Sequence, residues 1–494
     1  TLCGSPILPA FCIFRQDQCR LGDTVTGGQT LQTLAQTLAL MADGKHRCHG
    51  LGRGRSPSWS RSRSRGRSGR SGWSPHGPGL APGQNLTPEE HVKAQSTSSV
   101  ESFPESTECT EGSKSPLSVQ ETEQEAVHFQ WRKGLVLNQK YEVLQLLGDG
   151  TFGRAVLARE TGEDRLVAIK IVRDVKRYVD NAKVEASILK DIRAADPSES
   201  SRCAVMYESF THEDQYFCMT FELLGMSLYD GLRRNNFRGY WMQDLQVFAR
   251  QLLKGLKFLH QQQLTHTDLK PENVLLQSTA PWRPSYFPRE KDWLEARLLH
   301  RTQRLSTYAR PSDSQVKIID FGNATYSADN ADNADHAERH SRHSSTINTR
   351  PYRSPEVVLE LGWNERSDLW SLGCLLMECY TGHVLFDARG SLEHLQLMQK
   401  IIGPLPQGML ATASGTVKES CLAQTELGHW ECRRIENAWC GALESTVSRL
   451  PELVPPEHSF LVTCTGALLS LDPGKRPPAL EALTQPFLLA HFDD

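Results

Sequence analysis

The distribution of apolar and polar residues changes character near Phe129. Beyond it, Tyr141-Glu-Val-Leu-Gln-Leu-Leu147 and Leu166-Val-Ala-Ile-Lys-Ile-Val172 are short, apolar and rich in branched side chains, which predicts strands. Arg154-Ala-Val-Leu-Ala158 predicts a further strand between them. Asn181–Leu189 reads as a helix, and Leu245–His260 carries apolar residues at helical spacing over the length of a long buried helix. Strands first and helices afterwards point to an α+β fold, with a small β-rich lobe joined to a larger helical lobe. Two low-complexity stretches, Ser278–Gln315 and Asp329–Asp335, interrupt the pattern and are expected to be surface loops.

Upstream of Phe129 the pattern offers little to bury. From Arg53 to Ser71 the chain is nearly all Arg, Ser and Gly, and such a segment has too little apolar surface to repay backbone ordering. Residues 76–127 are rich in Pro, Ser, Thr and Glu and read as a continuing linker. Residues 1–128 are therefore expected to be disordered. The net charge of −3 conceals this local asymmetry, a basic stretch followed by an acidic one between Glu89 and Glu125. Thr1–Phe14 is mildly apolar but lacks a basic leading region, so no secretory signal is expected, while Thr30–Met41 fits either a short amphipathic helix or part of a transit peptide.

No apolar run approaches the ~18 residues that a membrane span needs. The 13 cysteines are odd in number and form no CxxC pair, which predicts reduced thiols rather than a disulfide framework. Cys421, His429, Cys432 and Cys440 cluster, but at a spacing that fits no common zinc pattern, so no zinc site is expected there.

The candidate chemistry lies in the predicted lobes. Gly148-Asp-Gly-Thr-Phe-Gly153 follows a strand and leads into another strand, not into the helix that a dinucleotide-binding fingerprint requires. A glycine hairpin of this kind lets backbone N–H groups approach phosphates closely. Lys170 follows within an apolar strand, where an ammonium needs a partner, and Glu185 in the next predicted helix is the natural one. His266-Thr-Asp-Leu-Lys-Pro-Glu-Asn273 and Asp320-Phe-Gly322 supply carboxylates, an amide and a lysine at spacings that suit phosphoryl transfer. One Asp can accept the proton of an attacking hydroxyl, a Lys can neutralise γ-phosphate charge, and an Asn with a second Asp can hold magnesium. Ser354-Pro-Glu356 and Asp368-Leu-Trp370 follow in the same order.

On these motifs, residues from about 141 to 490 resemble a eukaryotic protein kinase. The resemblance implies a two-lobed protein kinase fold, with an N-lobe over about 141–222 and a C-lobe over about 226–490, and ATP and Mg2+ as cofactors. By the same likeness Lys170 pairs the phosphates with Glu185, Asp268 is the catalytic Asp, Lys270 contacts the transferring phosphoryl group, and Asn273 and Asp320 bind Mg2+. Gly148, Gly150 and Gly153 cover the phosphates. Phe221-Glu-Leu-Leu224 resembles the hinge, with the Glu222 carbonyl and the Leu224 N–H facing adenine, and Leu147, Ala168 and Leu275 enclose the base. Ala155 stands where the family usually has Val, which loosens the roof of that pocket.

Tyr352-Arg-Ser-Pro-Glu356 resembles the CMGC group, and three features narrow the likeness to the CLK (LAMMER) family. These are His-Thr-Asp in the catalytic loop, the stretch Phe221–Asp230, and Glu393-His-Leu-Gln-Leu-Met-Gln-Lys-Ile-Ile-Gly-Pro-Leu-Pro406, which departs from the family signature at its centre. The DYRK family is the runner-up, but it has an activation-loop Tyr where this chain has Thr346. The CLK resemblance implies phosphorylation of Ser and Thr in Arg/Ser-rich splicing factors, Tyr autophosphorylation and a role in pre-mRNA splicing. It also implies a nuclear, speckle-like location with the cytoplasm as a second one, and a monomer; the basic Arg/Ser arm by its composition allows weak RNA contact. Thr267 cannot pair with a phosphate as Arg would, so activity is expected without phosphorylation of Ser344, Ser345, Thr346 or Thr349. A non-catalytic scaffold tethered by the Arg/Ser segment would be expected to lack Lys170, Asp268 or Asp320, and all three are present. A simple RNA-binding protein would need more aromatics in the basic arm than Trp59 and Trp73.

Overall fold

The computed structural model describes residues 129–289, 307–327, 345–434 and 448–492. All belong to one of the two units into which the chain divides, and the other, residues 20–122, lies outside the described residues. So do the expected disorder over 1–128, the Arg/Ser segment and the acidic stretch 329–335.

The upper lobe is an antiparallel sheet in the order β1-β2-β3-β4-β6-β5. Its strands are β1 (Val136–Leu137), β2 (Tyr141–Gly150), β3 (Gly153–Glu160), β4 (Arg165–Val172), β5 (Met206–His212) and β6 (Tyr216–Glu222). The sheet thus starts before Tyr141, with Leu137 paired to Tyr141. Alternation along β4 sends Ile169 and Ile171 to an outer core with Val143, Val156 and Phe129, and leaves Lys170 on the inner face. Helix α1 (Lys176–Ala195) lays Ala182, Ala186, Ile188 and Leu189 into the inner core, longer at both ends than the stretch predicted for it.

Gly153 sits where β3 and β4 come too close for any side chain, because a Cβ there would meet the Ile171 carbonyl oxygen at 2.2 Å. The register places Gly148 opposite Ala155 and Ala155 opposite Lys170. One row across three strands therefore connects the glycine loop to the lysine.

The lower lobe centres on α3 (Met242–Gln261) and α5 (Arg366–Thr381), which pack on each other, with α2 (Leu228–Arg234), capped by the Ser227 side chain, and the short α4 (Pro355–Val358) in the same lobe. Every residue of α5 from Ser367 to Tyr380 is buried, as expected for a helix enclosed on all sides. It ends at Gly382, whose φ of 76° and N–H bond to the Glu378 carbonyl make a left-handed cap. Short ladders bind the connecting loops: β7 (Leu264–Thr265) with β12 (Thr325–Tyr326), and β8 (Val274–Leu276) with β11 (Val316–Ile318).

The expected surface loop over 278–315 is, in its described parts, a packed element. Strands β9 (Arg283–Ser285) and β10 (Tyr308–Arg310) pair with each other, and Phe287, Arg289 and Tyr308 are buried. Arg289 donates to the Tyr240 carbonyl at 2.6 Å, and Arg310 pairs with Asp244 of α3 at 2.8 Å. The composition is that of a loop, but the buried Arg289 on carbonyls and the half-buried Arg310 on a carboxylate tie the segment down.

The divergent stretch after Pro406 forms α7 (Gln407–Thr412) and α8 (Gly415–Cys421), following α6 (Ser391–Ile401), and then the hairpin β13 (Leu422–Gln424) and β14 (Trp430–Cys432). Cys440 lies outside the described residues, and among the described residues no group of three metal-binding side chains forms. Among them also, no helix is long and apolar enough to cross a membrane.

Candidate active site

The cleft between the sheet and the helical lobe collects the predicted residues from separate elements. Lys170 of β4 and Glu185 of α1 form a buried ion pair, Nζ to Oε2 at 2.7 Å. An ammonium inside an apolar strand is tolerated only with such a partner, and the partner in turn fixes α1 against the sheet.

The loop after β7 carries Asp268, and its carboxylate is held on both oxygens. Lys270 donates to Oδ2 at 2.6 Å, while Thr349 donates to Oδ1 through its N–H at 2.9 Å and its hydroxyl at 2.7 Å. The Thr349 hydroxyl also receives a bond from Lys270 at 2.8 Å. Asn273 donates from Nδ2 to the Asp268 carbonyl at 2.9 Å, which leaves its Oδ1 as the atom available to a cation.

The loop backbone is strained at one point. Thr267 has φ of 66°, a left-handed conformation that a β-branched residue rarely adopts and that costs about 1–3 kcal/mol. Its neighbours compel it. Asp368, fully buried at the start of α5, accepts the backbone N–H groups of both His266 and Thr267, at 2.9 and 3.0 Å, and the His260 ring at 2.9 Å. Burial raises the Asp368 carboxyl, but His260 and the backbone donors outweigh it and hold the group below its ordinary value. The Thr267 hydroxyl donates to the Asn323 carbonyl at 2.7 Å, and the Thr267 carbonyl accepts from the Asn348 side chain at 2.8 Å.

His266 fixes the segment that carries the second carboxylate. Its Nδ1 accepts the Asp268 N–H at 3.2 Å, so Nε2 carries the proton and donates to the Ile319 carbonyl at 2.9 Å, immediately before Asp320. Asp320 is buried and itself left-handed, with φ of 66°. Burial, and then the nearby Asp268, raise its carboxyl against the pull of Lys170. Burial and Asp320 likewise raise Glu185. Burial opposes the charge on Lys270, yet Asp268 beside it raises its pKa. Two lysines thus face three carboxylates, and a divalent cation would relieve the excess negative charge. The oxygen donors of Asn273 and Asp320 suit a hard cation.

At the back of the cleft Leu224, Leu275, Ala204 and Ile319 form one apolar cluster. Ala168 pairs with Phe221, and Ala155 is buried beneath the glycine loop. The Glu222 carboxylate is engaged away from the cleft, accepting the Val205 N–H at 2.9 Å and Lys317 at 2.5 Å.

A family model described as protein kinase domain matches residues 141–488. The dual specificity protein kinase CLK1 of Mus musculus is 35% identical over 365 residues, which span 73% of this chain and 68% of that protein. The chain belongs to the CLK family of protein kinases. The serine/threonine-protein kinase AFC1 of Arabidopsis thaliana is 33% identical, over 73% of both chains. A crystal structure of a kinase domain, 35% identical, matches with a TM-score of 0.63 over 73% of this chain and 99% of its own. Membership implies ATP and a divalent metal ion as the working cofactors.

Two contributors were not legible as site residues. Thr349 touches Asp268 across 81 positions of chain, and Asp368 reaches His266 across 102. Both carry motif-like neighbours, but nothing in their spacing says which atoms they meet. Thr349 also separates from the other hydroxyls grouped with it. Ser345 and Thr346 are exposed and Ser344 lies outside the described residues, whereas Thr349 belongs to the Asp268 cluster. Thr349→Ala is expected to lower kcat by about tenfold or more, and Thr349→Ser to restore it, because one hydroxyl serves two charged partners. Ser345→Ala with Thr346→Ala should leave kcat within about twofold. Steady-state assays of the three variants decide, and an inactive Ser345/Thr346 double variant would show that activity depends on these hydroxyls.

Proposed function

We propose that this kinase transfers the γ-phosphoryl group of Mg-ATP to Ser and Thr hydroxyls of Arg/Ser-rich splicing proteins, and to Tyr on itself. The convergence of Asp268, Lys270, Asn273 and Asp320 on one small volume is the observation that carries the reading. Asp268 receives the hydroxyl proton, and its two bonded neighbours hold it in position for that. Lys270 balances charge on the transferring group, and Lys170, fixed by Glu185, positions the phosphates. The glycines Gly148, Gly150 and Gly153 cover them. Leu147, Ala155, Ala168 and Leu275 enclose the base, and the hinge backbone at Glu222 and Leu224 binds its edge. Asn273 and Asp320 would hold Mg2+, which neutralises phosphate charge when bound.

The Arg/Ser stretch at 53–71 supports the substrate class and a nuclear location, since it has the composition of the proteins it would meet. The enzyme acts as a monomer, with only weak RNA contact through that arm. The test is transfer of labelled phosphate from Mg-ATP to an Arg/Ser-repeat peptide, compared with Asp320→Asn. Transfer lost in the variant, with the Arg/Ser peptide outcompeting a generic basic substrate, supports the reading. Folded wild-type protein that labels neither peptide, nor itself, nor a generic substrate would replace it with a non-catalytic scaffold.

A further inference from the structure

The hairpin of β2 and β3 is held from its outer side. Ala155 shares the inner face with Lys170, so its neighbour Arg154 faces outward. There Arg154 lies opposite Asp149 in the ladder and donates twice to its Oδ2, from Nε at 3.1 Å and Nη2 at 2.9 Å. Its Nη1 donates to the Phe129 carbonyl at 2.5 Å. The segment from Phe129 to Leu135 is itself fastened to β2, Gly134 N–H to the Val143 carbonyl and Val143 N–H to the Leu135 carbonyl, both at 2.8 Å. The Phe129 ring meets Tyr216 edge-on at 5.0 Å, and Trp131 and Leu135 pack on the outer core. One guanidinium therefore joins the glycine loop, β3 and the segment through which the N-terminal region enters the domain.

We propose that Arg154 is a positioning residue for the nucleotide, pinning the glycine loop to residues 129–135 and coupling the seating of that segment to nucleotide affinity. The inference rests on the loop covering the phosphates. A glycine hairpin has many accessible conformations, and affinity falls in proportion to the fraction able to cradle the phosphates. A planar fork holds the Asp149 carboxylate through two N–H groups and the Phe129 carbonyl through a third, a fixed geometry that the compact ammonium of a lysine does not reproduce.

Long-range attraction between Arg154 and the phosphates is the rival account, and the two differ in sign at Asp149. Pinning makes Asp149→Ala weaken nucleotide binding, whereas attraction makes it strengthen binding, because a negative charge near the phosphates is removed. In the full chain, titration with a fluorescent ADP analogue and Mg2+ should show Arg154→Ala and Asp149→Ala each weaker by about three- to tenfold, with Arg154→Lys intermediate. The KM for ATP should rise by the same factor while kcat changes less than about twofold. Phe129→Ala keeps the carbonyl but removes the ring contact that seats it, so its cost should be smaller in Arg154→Ala than in wild type, since both loosen the same tether. Unchanged binding in Arg154→Ala, tighter or unchanged binding in Asp149→Ala, or additive losses in the Phe129 combination would overturn the proposal. Failure of the kinase reading registers separately, as a wild type that binds the analogue and transfers no phosphate.

Discussion

Asp268→Asn is expected to lower kcat by about 10²- to 10⁴-fold, the range that a positioned proton acceptor contributes. The carboxylate accepts from Lys270 on one oxygen and from two groups of Thr349 on the other. An amide in its place offers one acceptor oxygen to both sets and turns an NH2 group toward donors. It also loses the negative charge that anchors Lys270, so the two groups that serve the reaction are disturbed together. The KM for ATP should change by less than about threefold, because Lys170 and Glu185 keep their own pair on the sheet side. Activity within about tenfold of wild type, in a variant with unchanged melting, would show that the proton is taken elsewhere.

The largest stability effect is expected at Arg476. Its side chain is fully buried and makes a two-armed contact with Glu356 of α4, both N–O distances 2.6 Å. It donates besides to the carbonyls of Ser470, at 2.8 Å, and Arg366, at 3.1 Å, and stacks 5.2 Å from the Trp370 ring. Arg476→Met keeps much of the volume but leaves Glu356 charged and enclosed, at a cost of about 3–5 kcal/mol. Replacing both partners, Arg476→Met with Glu356→Leu, should recover a large part of that loss, since the buried charge disappears with its counterion. Denaturant midpoints at constant slope measure both variants. A single variant within about 1 kcal/mol of wild type, or a double variant below the single one, would mean that the pair is not what secures this end of α5.

Some expectations were revised in a telling way. Residues 278–315 read as a low-complexity surface loop, rich in Arg, Ser and Pro, yet their described parts form a ladder with buried Phe287 and Tyr308. Short strands of three residues are too brief for periodicity to register. What makes this segment structural is the carbonyls of Tyr240 and Tyr380 and the carboxylate of Asp244, contributed by residues elsewhere in the chain. Thr349 stands apart from the exposed Ser345 and Thr346 for the same reason, since its partner is a loop 81 positions away.

By itself the chain determined the order of its elements and the chemical types in its motifs. Branched apolar runs set the strands, helical spacing set α3, and the glycines of the loop declared a close approach of backbone, because each is a local consequence of side-chain shape and alternation. Lys170 needed an anion, and Glu185 could be named from one because an ammonium in an apolar strand leaves few alternatives. Tertiary structure alone decided how the groups meet. It set which oxygen of Asp268 faces Thr349, the left-handed turn that Asp368 imposes at Thr267, and the reach of Arg154 from β3 to Phe129. These contacts join residues far apart in the chain, and their geometry depends on how two lobes and a buried helix pack, a property that no short window of sequence contains.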